Sequence, residues 1–175
     1  MSRFAVAMEA WLPLADSGDA RAQTGVAAMY LGGHGVPQSY DRALFWYARA
    51  ADQRDAAAQY MLATLYRDGR GVDKDVPRAA SLLRNAADQG QPWAQYSLGL
   101  MYRMGEGVPQ DNGEAFFWLS LATASSPRED ANLAATASFV RDDVAARLTA
   151  AQLEEARQRI RDWKPAASGA PPATR

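Results

Sequence analysis

Apolar residues in the middle of this chain recur on a helical rhythm. Ala94, Leu98, Met101 and Tyr102 follow one another in steps of 4, 3 and 1, which places them on one face of an α-helix. A second pattern runs through Ala43, Trp46 and Ala50, and is echoed by Ala79, Leu82 and Ala86 and by Ala115, Trp118 and Ala122. Both patterns start just after residues suited to capping. The first helix is expected to begin after Asp19, Asp55 or Gln91, and the second after Ser39, Asp75 or Asp111. Asp and Ser side chains satisfy the free N–H groups of a helix start. Pro92 fits a first turn, where a missing N–H is harmless.

The two helices alternate with a fixed period. Gly33-His34-Gly35-Val36 returns as Gly69-Arg70-Gly71-Val72 and as Gly105-Glu106-Gly107-Val108, 36 residues apart each time. Ala15-Asp16, Ala22-Gln23, Tyr30 and Ala43 keep the same step. Residues 15–50 and 87–122 are identical at 16 of 36 positions. A constant period in this range marks a stacked repeat array. It also decides how to read the loop. The slot between the glycines holds His34, Arg70 and Glu106, three different chemistries, so it is an exposed and passive position. The glycines persist because a sharp helix-to-helix turn needs them. A dinucleotide loop would need a third glycine where Gln38 stands, and a strand before it.

The period marks out the ends. Residues 4–14 repeat the second-helix pattern one step early, with Ala7 on Ala43 and Trp11 on Tyr47, so the chain opens with half a repeat. Pro13 is expected to kink or shorten that helix. Three repeats follow, at 15–50, 51–86 and 87–123, and then the period stops. Over 126–163 two capping helices are expected. Ser126, with Pro127 and Glu129, reads as the capping box of the first, which buries Leu133, Ala137, Val140 and Val144. Thr149 and Gln152 form the box of the second, whose stripe is Leu153, Ala156, Ile160 and Trp163. Such a hairpin would cover the open end of the stack. Residues 164–175, rich in Pro and Ala, read as a disordered tail.

The segments 51–90 and 87–122, with their Ala-Gln, Tyr, Gly-x-Gly-Val loop, second-helix alanine and closing Ala-Ala, resemble Sel1-like repeats, a longer-looped relative of the tetratricopeptide repeat. Asp73 in place of a proline and Leu82 in place of a tryptophan depart from the pattern without threatening it. The resemblance covers residues 15–123. It implies an all-α fold, a right-handed α-solenoid of helical hairpins with a C-terminal capping helix pair. It also implies first helices lining a concave groove and a bacterial adaptor that binds proteins rather than a catalyst. Some cysteine-rich relatives are linked to β-lactam binding or hydrolysis, but no cysteine is present here.

Composition narrows the function further. Nineteen basic residues against 20 acidic ones give a net charge of −1, with no basic footprint for nucleic acid. No apolar run reaches the roughly 20 residues of a membrane span. No leader is visible, which leaves the cytoplasm as the default compartment. Without cysteine there is no thiolate metal site, and no nucleophile, base and orienter converge as catalysis requires. No cofactor or metal is expected. The adjacent acids Asp142-Asp143 and Glu154-Glu155 point different ways on a helix and read as solvated faces.

Candidate binding residues come from what differs between repeats. On the first helix the variable slots are Arg21/Ala57/Trp93, Thr24/Tyr60/Tyr96, Ala28/Thr64/Leu100 and Leu31/Arg67/Arg103. Their spacing of 3, 4 and 3 forms a face distinct from the core. The resemblance turns that face towards the groove, so Arg21, Thr24, Tyr60, Thr64, Arg67, Trp93, Tyr96, Leu100 and Arg103 are the expected contacts for a protein or peptide partner. Tyr, Trp and Arg are enriched at binding hot spots. The competing roles are packing of the aromatics against the next repeat or the C-terminal helices, and pairing of the arginines with Asp68 and nearby acids. A third reading is self-association through the opening half-repeat, which lacks its usual neighbour.

Overall fold

In the computed structural model, which describes residues 3–126 and 130–167, the expected caps sit where the helices begin. The helices are α1 (Arg3–Asp16), α2 (Ala20–Gly32), α3 (Tyr40–Asp52), α4 (Ala56–Asp68), α5 (Val76–Asp88), α6 (Pro92–Met104), α7 (Asn112–Ser125), α8 (Ala131–Ala145) and α9 (Ala150–Asp162). The side chains of Asp19 and Asp55 accept from the backbone N–H of Ala22 and Ala58, each at 2.7 Å. Ser39, Asp75 and Asp111 do the same for α3, α5 and α7. From α1 to α8 each helix packs on the next in sequence, giving an α-solenoid of hairpins α2–α3, α4–α5 and α6–α7.

The Gly-x-Gly loop has a separate reason for each glycine. Gly33, Gly69 and Gly105 close the first helices in the left-handed region, at φ 68, 68 and 70°. The second glycine is a contact point. A Cβ on Gly71 would lie 2.2 Å from Tyr40, and one on Gly107 would lie 2.8 Å from Val76. Gly35 meets Phe4 and Ala5 in the same way. Each loop therefore rests on the start of the preceding second helix, one period back.

Between hairpins the stack is held by a buried amide. Gln23, Gln59 and Gln95 are at most 3% exposed. Their Nε2 groups donate to the carbonyls of Ala15, Ala51 and Ala87, at 3.1, 3.3 and 3.2 Å. Those carbonyls lie near the end of the preceding second helix. The Oε1 atoms of Gln23 and Gln59 accept from Gln53 and Gln89, both at 2.8 Å, and that of Gln95 accepts from Ser125 at 2.6 Å. One side chain thus ties the helix before it to the end of its own hairpin.

Around these amides the core is continuous. Tyr47, Leu83 and Leu119 occupy one slot of the second helices and are almost fully buried; burial pushes the Tyr47 hydroxyl up to about 12. Trp46 and Trp118 fill core volume, as expected. Tyr30 and Tyr102 lie under Arg42 and Arg84, which hydrogen-bond their hydroxyls, and Arg78 covers the Tyr66 ring.

The ends differ from expectation in three places. Pro13, expected to kink or shorten α1, does not shorten it, and the helix runs on to Asp16. Pro13 and Glu9, whose carbonyl loses its helical partner, are both exposed, so water can satisfy that carbonyl. Ser126 closes α7 rather than opening α8, its hydroxyl donating to Ala122 at 2.6 Å. The cap of α8 is Asp130, and residues 127–129 of the expected box lie outside the described residues. The tail was expected to be disordered throughout. Ala166, however, donates to the Asp88 carbonyl at 2.7 Å, and Pro165 and Trp163 lie beside Gly90; residues 168–175 lie outside the described residues. The Thr149–Gln152 capping box is present at α9. Helices α8 and α9 both pack on α7 rather than along each other.

Gln59→Leu should lower unfolding stability by about 1–3 kcal/mol, because it removes two buried hydrogen bonds, to the Ala51 carbonyl and from the Gln89 amide; urea denaturation measures this. Arg54 stands in the slot of Gly18 and Gly90, at φ 65°, and its buried Nε lacks a partner among the described residues. Arg54→Gly should therefore raise stability by about 0.5–1 kcal/mol, relief of the left-handed strain outweighing the greater freedom of the unfolded chain. The midpoint of the same titration checks it.

Candidate functional site

The nominated face is set by the first helices, and the structure divides its residues among several environments. Thr24 donates to the N-cap carboxylate Asp55 at 3.0 Å, so it works within the stack. Thr64 returns its hydroxyl to the Tyr60 carbonyl. Tyr60 and Tyr96 are half-buried. The first packs against the core between α4 and α7, the second against the cluster formed by α7, α8 and α9. Trp93 stands edge-on to Tyr96, with ring centroids 6.2 Å apart, and stays 39% exposed.

The arginines divide too. Arg103 is bound to Asp143 of α8 at 2.9 Å, and Asp143 also holds Arg147 at 3.2 Å. Asp143 is therefore a tie between α6 and the terminal helices, not the solvated acid expected. Asp142 pairs with Arg141, and Glu154 with Arg161. Arg67 bonds its neighbour Asp68 at 2.8 Å, and that hydrogen bond is the main reason its guanidinium is held above the ordinary arginine value. Arg21 is exposed near the N-terminal ends of the first helices.

Arg67 and Leu100 are brought together. They line an open groove of about 500 Å³ between the C-terminal halves of α4 and α6, with Asp68, Lys74, Ser97, Met101, Met104 and Glu106. Leu100 and Met104 supply its apolar surface, Met104 at 59% exposure, over Met101, which is 2% exposed. Arg67, Lys74, Asp68 and Glu106 put charges of both signs around it. Lys74, Met104 and Glu106 were not among the nominated residues. Lys74 and Glu106 belong to the loops, and a comparison confined to first-helix slots passes over them.

Catalytic groupings are sparse. His34, the lone histidine, stacks on the Phe4 ring with centroids 4.9 Å apart. Among the described residues no cluster of three or more His, Cys, Asp or Glu side chains could hold a metal ion. No described helix is long and apolar enough to cross a membrane.

A model of the Sel1 repeat matches residues 20–55, 56–91 and 94–126. The chain belongs to the Sel1 repeat family. Sel1 repeats are all-helical solenoid units, and proteins of this family are generally protein-interaction modules and typically non-catalytic. Solved Sel1 relatives include a Sel1 repeat protein from Oxalobacter formigenes, 30% identical with a TM-score of 0.62, the match covering 63% of this chain and 45% of that one. A protective antigen of uropathogenic Escherichia coli displaying an SLR fold is 28% identical, with a TM-score of 0.54 over 89% of this chain and 40% of its own. This chain thus spans less than half the length of either. Cysteine-rich protein B of Helicobacter pylori shares the fold at 16% identity, with a TM-score of 0.56 over 73% of this chain and 91% of that one. No curated protein matches the chain.

The Arg103–Asp143 pair is more than a third exposed on the carboxylate side, so it is screened by water. Arg103→Ala should change stability by less than about 1 kcal/mol, and a thermal melt would read the difference.

Proposed function

We propose that this Sel1 chain is a non-catalytic interaction module that holds a protein or peptide segment on the face of its first helices, with the groove between α4 and α6 as the central seat. The observation that carries this reading is the make-up of that groove. An apolar surface from Leu100 and Met104, backed by the buried Met101, is ringed by Arg67, Lys74, Asp68 and Glu106. Methionine side chains adapt to different apolar shapes, and mixed charges at a rim select register and orientation more than they add affinity. The occupant that fits is a segment with one apolar anchor flanked by polar or charged residues. Trp93 and Arg21, exposed at the N-terminal ends of α6 and α2, extend the surface along the stack. Thr24 and Arg103 serve this surface indirectly, through bonds to Asp55 and Asp143 that hold the helices carrying it, while Thr64 turns its hydroxyl back to the Tyr60 carbonyl of its own helix.

Selection of peptides from a displayed library on the immobilised chain, followed by calorimetry, tests the seat. Leu100→Ala and Met104→Ala should each weaken a selected peptide about tenfold, roughly 1.4 kcal/mol, with an unchanged melting temperature. Equal affinity for wild type and both variants would place the binding face elsewhere.

A further inference from the structure

We infer that the furrow between α1 and α3 docks a helix-ended segment of a partner protein, with an aromatic residue closing its last turn, an acid one turn earlier and a proline just beyond. The site lies among the second helices and shares no residue with the groove between α4 and α6. Its occupant is indicated by a matching furrow of the same chain that is already filled. Between α5 and α7, Arg84, Asp88, Phe117 and Trp118 face the end of α9. Ile160 and Trp163 pack on the core cluster that contains Phe117 and Trp118. Arg159 lies over the Phe117 ring, 4.5 Å from its centroid, and bonds the Glu114 carboxylate at 2.6 Å. Past the helix end, Pro165 and Trp163 rest beside Gly90, and Ala166 donates to the Asp88 carbonyl. Phe117 is 5% exposed beneath them.

Two periods earlier the same slots hold Leu12, Asp16, Phe45 and Trp46, with Gly18 in the place of Gly90. Here Phe45 is 53% exposed. A Cβ on Gly18 would meet nothing within 4 Å, so no described residue lies where Pro165 and Trp163 lie at Gly90. The middle furrow, between α3 and α5, lacks these features. Ser81 and Leu82 replace the aromatic pair, and Arg54 replaces the glycine. A seat for an aromatic helix end and the strap after it is thus built twice, at α5–α7 and at α1–α3, and among the described residues it is filled once.

Charge sets the occupant apart from α9. The filled furrow offers one positive group, Arg84, and two negative ones, Glu114 and Asp88. The open furrow offers two positive groups, Arg42 and Arg49, and one negative, Asp16. Arg42 stands in the slot of Glu114, Arg49 in that of Leu121 and Leu12 in that of Arg84, while Asp16 keeps the place of Asp88. Arg49 lies over the rings of Phe45 and Trp46, 5.6 and 5.5 Å from their centroids, and Arg42 donates to the Tyr30 hydroxyl at 2.9 Å. Neither arginine makes an ion pair with a described residue. By helical spacing, Asp41 and Asp52 fall on the other side of Phe45. An incoming helix with arginine at the position of Arg159 is therefore repelled, and one with an acid there is attracted. This argues against the α9 of a second copy. A helix laid in a groove by one aromatic anchor is a common mode of recognition.

Fluorescence anisotropy with the full chain tests this, using two labelled peptides of residues 150–167. One keeps Arg159 and the other carries Arg159→Glu. Both carry Gln158→Lys, joined by a lactam to Glu154 on the outward face, because so short a helix is marginal in water. The Arg159→Glu peptide should bind saturably and about tenfold more tightly than its counterpart. In the chain, Phe45→Ala should weaken it about tenfold, and Arg42→Glu should reverse the preference between the peptides. Both positions are exposed, and circular dichroism melts should find both variants folded. No binding of the Arg159→Glu peptide, or binding untouched by Phe45→Ala, would overturn the inference. So would a wild-type preference for the Arg159 peptide, which would point to a second copy instead. Leu100→Ala should bind as wild type does, so failure here and failure of the groove are told apart.

Discussion

A buried primary amide governs this stack. Gln23, Gln59 and Gln95 each sit where a helix of one hairpin meets the end of the hairpin before it, and each is nearly or fully shut off from water. A polar group in that position is tolerated only when both its donor and its acceptor are used. Both are: the N–H meets an alanine carbonyl at the end of one second helix, and the oxygen is met by the residue that follows the next. A third link, Gln95 to Ser125, differs in chemistry and keeps the geometry, and it helps explain why α7 runs one residue longer than α3 and α5. The period of 36 residues is the spacing at which this tie can be repeated.

Every other regularity serves that spacing. Alanines at 43, 79 and 115 lie at zero exposure because the helices must come close for the amide to reach. The second loop glycine is bare because the loop rests on the previous hairpin. Residues free of these duties are where chemistry varies, and they collect in two kinds of place. One is the line of grooves between neighbouring first helices, where side chains at the rim meet solvent. The other is the outer surfaces of α1 and α8, where Trp11, Leu14 and Phe139 stay exposed.

The repeat logic was legible in the primary structure to a high degree. Period, helix starts, the left-handed glycines and the core tryptophans follow from residue identity and spacing, since each depends on local backbone geometry or on contacts one period away. The candidate surface was legible in part. Slots that vary between repeats picked out Arg67 and Leu100, which meet in one groove, but also Thr24 and Thr64, whose hydroxyls bond within the stack. Variation says that a slot is not required by the repeat; it does not say whether a neighbour from outside the repeat has claimed it. Arg103 shows this most clearly, since its partner Asp143 lies 40 residues on, in a helix with no period to predict it.

The chain on its own therefore determined a stack of hairpins, where their helices start and most of their core, because a repeat writes its constraints several times and the copies can be compared. Tertiary structure alone decided how α8 and α9 straddle α7, where Ala166 comes to rest, and which variable side chains line a common groove. Those outcomes depend on contacts made once, between segments distant in sequence. Packing of that kind leaves no repeated trace in the order of residues.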